Sequence, residues 1–202
     1  MMKIMAIETS GLNCGVGIWF DQKLISIKEE IGNKIHSEKL PKFVKNVLKE
    51  SNLELKDLDA IAVSTGPGSY TGLRIGMSFA KGLAFGSKIQ LLPIDTISSI
   101  EENFKKDKEL IILVYSHTGY VYEKQCSDIK GEIIQTKIKD IYSKPLLCVN
   151  FPENKKNIPK SKYILTSVEF IGNFATKNYF KLEKPRLFNI SPKYFSEFNI
   201  RK

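Results

Sequence analysis

The order of hydrophobic periodicities is what most constrains this chain. Residues 3–8 read as a buried strand, 14–20 alternate as a second, and Asp21-Gln22 makes a tight turn into a third over 23–31. Three strands joined by short turns form an antiparallel meander. After that, helix and strand alternate. The stretch 36–51 sets Leu40, Phe43, Val44, Val47 and Leu48 at i, i+3, i+4, i+7 and i+8, one amphipathic face, with Pro41 tolerated in the first turns. A short apolar strand over 58–64 leads through a glycine-rich turn into a helix over 71–85. A strand over 90–94 follows, then a helix over 96–104 that Asp95 can cap. The order β-β-β-α-β-α-β-α predicts a mixed sheet covered by helices, an α/β fold. Further strands are expected at 110–115, 120–126 and 133–137, so a second unit begins as the first did. Beyond residue 137 the periodicity weakens. The charged run 101–109 marks a boundary between an N-terminal unit, 1–100, and a reduced basic unit, 101–202.

Composition narrows the function classes. A chain of 202 residues, 42% hydrophobic and 26% charged, buries about 70% of its unfolded surface and needs no staples. The apolar run 110–115 is far short of the about 20 residues that span a bilayer. The start Met1-Met2-Lys3 leads into a strand without a secretory h-region. Cys14, Cys126 and Cys148 form neither a disulfide framework nor a zinc motif, and a reducing cytoplasm is expected. The net charge of +9 is uneven: residues 1–100 hold 12 basic and 10 acidic residues, and residues 144–202 hold 12 and 4. A lysine-rich solvated surface and an electrostatic surface for RNA or an acidic partner both fit this balance, which bears on association and not on one site.

The most unusual stretch is Gly66-Pro67-Gly68-Ser69-Tyr70-Thr71-Gly72-Leu73-Arg74-Ile75-Gly76. At a helix N-terminus it could cradle a phosphate. It lacks the P-loop lysine, and its glycine spacing is not the dinucleotide fingerprint. The structural alternative is stronger. Gly72, Gly76 and Ala80 recur every four residues, so another element can approach closely. Leu73, Met77 and Ala84 lie on a neighbouring face that could meet the helix over 36–51 and form a docking pair.

Ile7-Glu8-Thr9-Ser10, His36-Ser37-Glu38-Lys39-Leu40 and the stretch 66–76 with Ala80-Lys81-Gly82-Leu83-Ala84 together resemble the TsaB (YeaZ) family. That family is the non-catalytic partner of the tRNA threonylcarbamoyladenosine synthase. The resemblance is strong over residues 1–100. In the second half the family's Asp-Ala-Arg is replaced by Tyr115-Ser116-His117, and its Glu-Val-Tyr by Tyr120-Val121-Tyr122. Pro192 and Tyr194 echo its Pro-x-Tyr.

The resemblance implies an actin-like ATPase (ASKHA, RNase H-like) fold of two related units, the second truncated and diverged. It implies a scaffold that pairs with a TsaD-type catalytic paralogue and a TsaE-type small ATPase. Their reaction transfers threonylcarbamoyl from its adenylate to N6 of the adenosine 3′ of the tRNA anticodon, with tRNA met only through the complex. Docking would use a bundle of the first two helices, with Leu40, Phe43, Val44, Val47, Leu73, Gly76, Met77 and Ala80 as contact residues. A self-complementary helix face would allow a homodimer of the free chain. Gly66, Pro67, Gly68, Ser69, Tyr70, Thr71, Gly72 and Arg74 carry the family's glycine-rich motif. Glu8, Thr9 and Ser10 are the candidates for a residual nucleotide contact.

No catalytic residue, metal or cofactor is expected. The paralogue's His-x-x-x-His pair falls here on Thr96 and Ile100, and neither replaces an imidazole. The two histidines, His36 and His117, lie on different elements and read as solvated or capping. Glu8 stands where actin-like kinases usually have Asp, and the extra methylene displaces the carboxylate by about an ångström. The alternative is a metal- or ATP-dependent enzyme of the same fold, a glycoprotease-like hydrolase or small-molecule kinase. It rests on the glycine-rich turn and the strand end 7–10. A stand-alone RNA-binding module would rest on the basic tail alone.

Overall fold

A computed structural model describes residues 2–104, 109–116, 119–126, 132–138 and 142–194. The meander forms as expected: β1 (Lys3–Glu8), β2 (Asn13–Phe20) and β3 (Lys23–Ile31) pair antiparallel. Asp21 and Gln22 both take positive φ, the turn geometry that matches the strands' twist. α1 (His36–Glu50) crosses to β4 (Ala60–Ser64), and α2 (Tyr70–Ser87) to β5 (Gln90–Ile94). The first sheet has the order β3-β2-β1-β4-β5, with β1, β4 and β5 parallel. α3 (Thr96–Asn103) follows, and the Asp95 side chain accepts from Ser98 N at 2.8 Å.

The second sheet contains β6 (Ile111–Tyr115), β7 (Tyr120–Gln125), β8 (Ile134–Lys137), β9 (Leu146–Val149) and β10 (Ser161–Ile164). Its order is β8-β7-β6-β9-β10, again with two antiparallel pairs followed by two parallel ones. The two units therefore share one topology. They differ in their crossovers. Parallel strands are usually joined by a helix, and α1 and α2 serve that purpose in the first unit. In the second, the described residues of 138–145 and 150–160 form no α-helix. The last α-helix among the described residues is α4 (Val168–Asn178).

Four apolar layers hold the molecule. Met5, Ile7, Val16, Ile18, Ile61 and Val63 pack under α1 and α2. The other face of that sheet, with Ile4, Ala6, Ala62 and Trp19, packs on Val168, Ile171 and Ala175 of α4. Ile97 and Ile100 of α3 cover Ile112, Val114, Leu147 and Val149 of the second sheet. Its far face is closed by aromatics, with the loop residue Phe151 against Tyr115 of β6 and Tyr163 of β10 at ring distances of 5.4 and 5.8 Å. The units thus exchange helices: α3 covers the second sheet and α4 the first. Among the described residues no helix is long and apolar enough to cross a membrane.

Candidate functional site

The glycine-rich loop is a packing device. Gly66 has φ +109°, a conformation that favours glycine. Its N–H donates to Thr96 Oγ1 at 3.2 Å, and its carbonyl accepts from Thr96 N at 2.9 Å. Ser69 caps α2, its hydroxyl accepting from Gly72 N. A Cβ at Gly68 would collide with Ser10, and one at Gly72 or Gly76 with Thr9. These three glycines let α2 settle directly on the end of β1. Tyr70 and Arg74 face outward: Arg74 Nη1 donates to Tyr70 OH at 2.8 Å, and the Tyr70 ring lies 5.0 Å from that of Tyr194. Pro67 is buried and Thr71 exposed.

Under the loop lies a buried polar cluster. Glu8 is fully buried and accepts from Ser10 N. Burial pushes its carboxyl up to about 7, against the opposing pull of the Ser10 and Ser64 groups facing it. Glu8 Oε2, Thr9 Oγ1, Ser10 Oγ and Ser64 Oγ make no hydrogen bond of sound geometry. Between the units runs a cleft of about 480 Å³, lined by Ser10, Lys34, His36 and Ser69 on one side and by Tyr115 and Asn150 on the other. The N-termini of α1 and α2 open onto it, and Ile35 gives α1 no side-chain cap. Such ends favour anions.

His36 corrects one expectation. It is buried, not solvated, and burial lowers its pKa against hydrogen bonds to the backbone of Gly11 and Asn13. His117 lies outside the described residues. Among those described, no three His, Cys, Asp or Glu side chains converge as a metal cluster.

The expected contact residues face inward in this chain. Leu40, Phe43, Val44, Val47, Leu73, Gly76, Met77 and Ala80 are all buried within this chain. They pack α1 and α2 onto the first sheet or onto each other, because an apolar face at helical spacing is first of all a core face. The outward side of α2 carries Arg74, Ser78, Gly82, Phe85 and Gly86 instead. Phe85 is 67% exposed and meets the edge of Phe188, itself 80% exposed, at 6.3 Å. A Cβ at Gly82 or Gly86 would touch nothing. A glycine on a helix's solvent side costs about 1 kcal/mol relative to alanine, and no packing inside the chain requires these two.

A family model described as TsaD, tRNA N6-adenosine threonylcarbamoyltransferase, matches residues 27–187. The tRNA threonylcarbamoyladenosine biosynthesis protein TsaB of Buchnera aphidicola (Schizaphis graminum) is 30% identical over 203 residues, 96% of this chain and 93% of that protein. The chain belongs to the TsaB (YeaZ) family. TsaB of Escherichia coli is 33% identical over 101 residues, covering 50% of this chain and 43% of that protein. YeaZ from Pseudomonas aeruginosa shares the fold, with a TM-score of 0.75 at 18% identity over 96% of this chain and 100% of that one. With the duplicated strand order, this is the actin-like ATPase fold that the sequence implied. In this TsaB-family chain the positions matched to the paralogue's histidines have structural duties. Thr96 bonds the glycine-rich loop, and Ile100 lies in the core of the second sheet.

Proposed function

We propose that this chain is a non-catalytic scaffold in tRNA threonylcarbamoyladenosine synthesis. It docks onto a TsaD-type catalytic paralogue through the outward faces of α1 and α2, in an assembly completed by a TsaE-type ATPase, with tRNA bound by the complex. Transfer of threonylcarbamoyl to N6 of the adenosine 3′ of the anticodon is the paralogue's step. The carrying observation is the outward face of α2. Ser78, Gly82 and Gly86, spaced by four, leave room for a second helix to come close, and Phe85 beside them supplies an aromatic anchor. The test is co-elution with the catalytic paralogue in size-exclusion chromatography. Phe85→Glu and Gly82→Leu should abolish co-elution and tRNA modification while circular dichroism stays unchanged. Undisturbed assembly in both variants would overturn the reading.

The cleft supports a second reading, a metal- or ATP-dependent enzyme, because two helix N-termini and the Glu8 cluster adjoin it. Calorimetric titration with Mg·ATP and metal analysis of the purified chain separate the two readings. Tight nucleotide binding or stoichiometric metal favours the enzyme.

A further inference from the structure

At the end of the second sheet away from the cleft lies a larger cavity, of about 900 Å³. The cleft touches Tyr115 and Asn150, at the C-terminal ends of β6 and β9. The cavity touches Leu110, Leu146 and Ser161, at or just before the starts of β6, β9 and β10. These three strands are parallel, and four residues of strand span roughly 13 Å, so the two sites are separate.

The walls of the cavity are apolar and aromatic, with Pro145, Leu147 and Pro159 beside the ring of Phe104 at the end of α3. Phe170 of α4 meets that ring edge-on at 6.1 Å. The rim is basic: Lys156, Lys160 and Lys162 stand there against one acid, Glu109. Lys156 is paired with Glu153 at 2.6 Å, whereas Lys160 and Lys162 have no carboxylate partner among the described residues. The Lys162 ammonium lies over the Phe104 ring instead, 5.2 Å from its centre. Lys160 has φ +56°, a left-handed backbone that glycine adopts at less cost, yet the position carries a charge. The turn around it is tied down: Ile158 N donates to Tyr163 OH at 2.9 Å, and Lys160 O accepts from Leu146 N at 3.2 Å.

We infer that this cavity takes an unpaired base of an RNA strand, with the flanking phosphates on Lys160 and Lys162. An ammonium forms a charge-assisted bond with a phosphate, which outweighs its contact with a ring. A strand laid along β10 therefore draws Lys162 off Phe104 and leaves the ring face for the base to stack on. α3 ends at the cavity, and a helix C-terminus disfavours an anion, so the base enters and the phosphates stay at the rim. That arrangement suits a strand better than a free nucleotide. So does the charge beyond the cavity, since residues 144–202 hold 12 basic and 4 acidic residues. In a duplex the bases are stacked and paired, so the occupant is single-stranded. The choice of RNA rests on the tRNA reading above.

Fluorescence anisotropy with a labelled single-stranded RNA of about twelve nucleotides tests this on the full chain. Lys160→Gly with Lys162→Gln should weaken binding at least about tenfold at about 50 mM NaCl, and lower the slope of log affinity against log salt by about 1.4. Glycine suits the backbone at 160, so the fold is kept. Phe104→Leu keeps an apolar contact for Phe170 and should weaken binding about fivefold or more without changing the slope. Lys45→Gln with Lys49→Gln removes the same charge from α1 and should change affinity less than about twofold. Circular dichroism checks each variant. Equal losses in the two lysine pairs overturn the inference, as does a wild-type chain without saturable binding. AMP or a duplex that displaces the strand as well as unlabelled single-stranded RNA also overturns it. So does a DNA strand of the same sequence that binds more tightly. Co-elution with the catalytic paralogue should survive the cavity substitutions. A wild-type chain that fails to co-elute would instead sink the docking reading and leave the RNA titration unaffected.

Discussion

The indole of Trp19 lies flat against Gly172, so close that a Cβ at 172 would enter the ring's van der Waals envelope. Trp19 on β2 is fully buried, and its Nε1 donates to Asn173 Oδ1 at 3.0 Å, so one side chain fastens α4 to the first sheet. Trp19→Ala should cost about 3–5 kcal/mol of unfolding free energy in urea titration. Gly172→Val should also destabilise, through overpacking, by roughly 1–3 kcal/mol.

Glycines on the two sides of α2 should respond with opposite signs. Gly76→Ala drives a methyl into the Thr9 side chain and should lower the melting temperature. Gly82→Ala adds a methyl in open space and should raise the free chain's stability by about 1 kcal/mol. Thermal melts of the isolated chain distinguish the two.

Glu8 gives the chain a pH-dependent stability. Its carboxyl ionises near 4.5 when unfolded and near 7 when folded. Between these values the folded state holds a proton that the unfolded state has released, so stability falls as pH rises from about 4.5 to 7. Glu8→Gln removes this slope. The variant should gain up to about 3 kcal/mol over the wild type at pH 8 and little at pH 4.5, measured by urea unfolding.

Glu29 ties β3 to the second unit. Its carboxylate accepts from Val168 N at 2.6 Å, from Asn13 Nδ2 at 3.0 Å and from the Ser167 hydroxyl at 3.1 Å, which places a negative charge on the N-terminus of α4. Glu29→Ala should cost roughly 1–3 kcal/mol. Amide exchange should accelerate first in the opening turn of α4, before the core of the first sheet responds.

The sequence was legible where periodicity was clean. The meander, both crossover helices and the Asp95 cap stand where the alternation and spacing put them. β9 and β10 were hidden because Leu146–Val149 is a four-residue run buried on both sides and Ser161–Ile164 is an edge strand mixing Lys with Tyr. Neither alternates, and no α-helix separates them. The exchange of α3 and α4 was out of reach because a helix's pattern tells that it buries a face, not which sheet receives it. At the site, the spacing of Leu40 and Met77 fits a contact face and a core face alike, because apolar spacing looks the same over a core and over a partner. The residues that break the polar side of α2 are Gly82, Phe85 and Gly86, and nothing inside the chain calls for them there.

The exchanged helices also set what this chain can afford to lose. Among the described residues, the second unit has no α-helix joining its parallel strands, and aromatic side chains close the far face of its sheet. α3 and α4 are different, because each is the lid of the other half. Removing either would strip a sheet whose strands lie elsewhere in the sequence, so neither half can be excised as an independent module. Erosion of such a chain is confined to its outer roofs, and the pair at its centre is the minimum that two half-domains must keep to remain one protein.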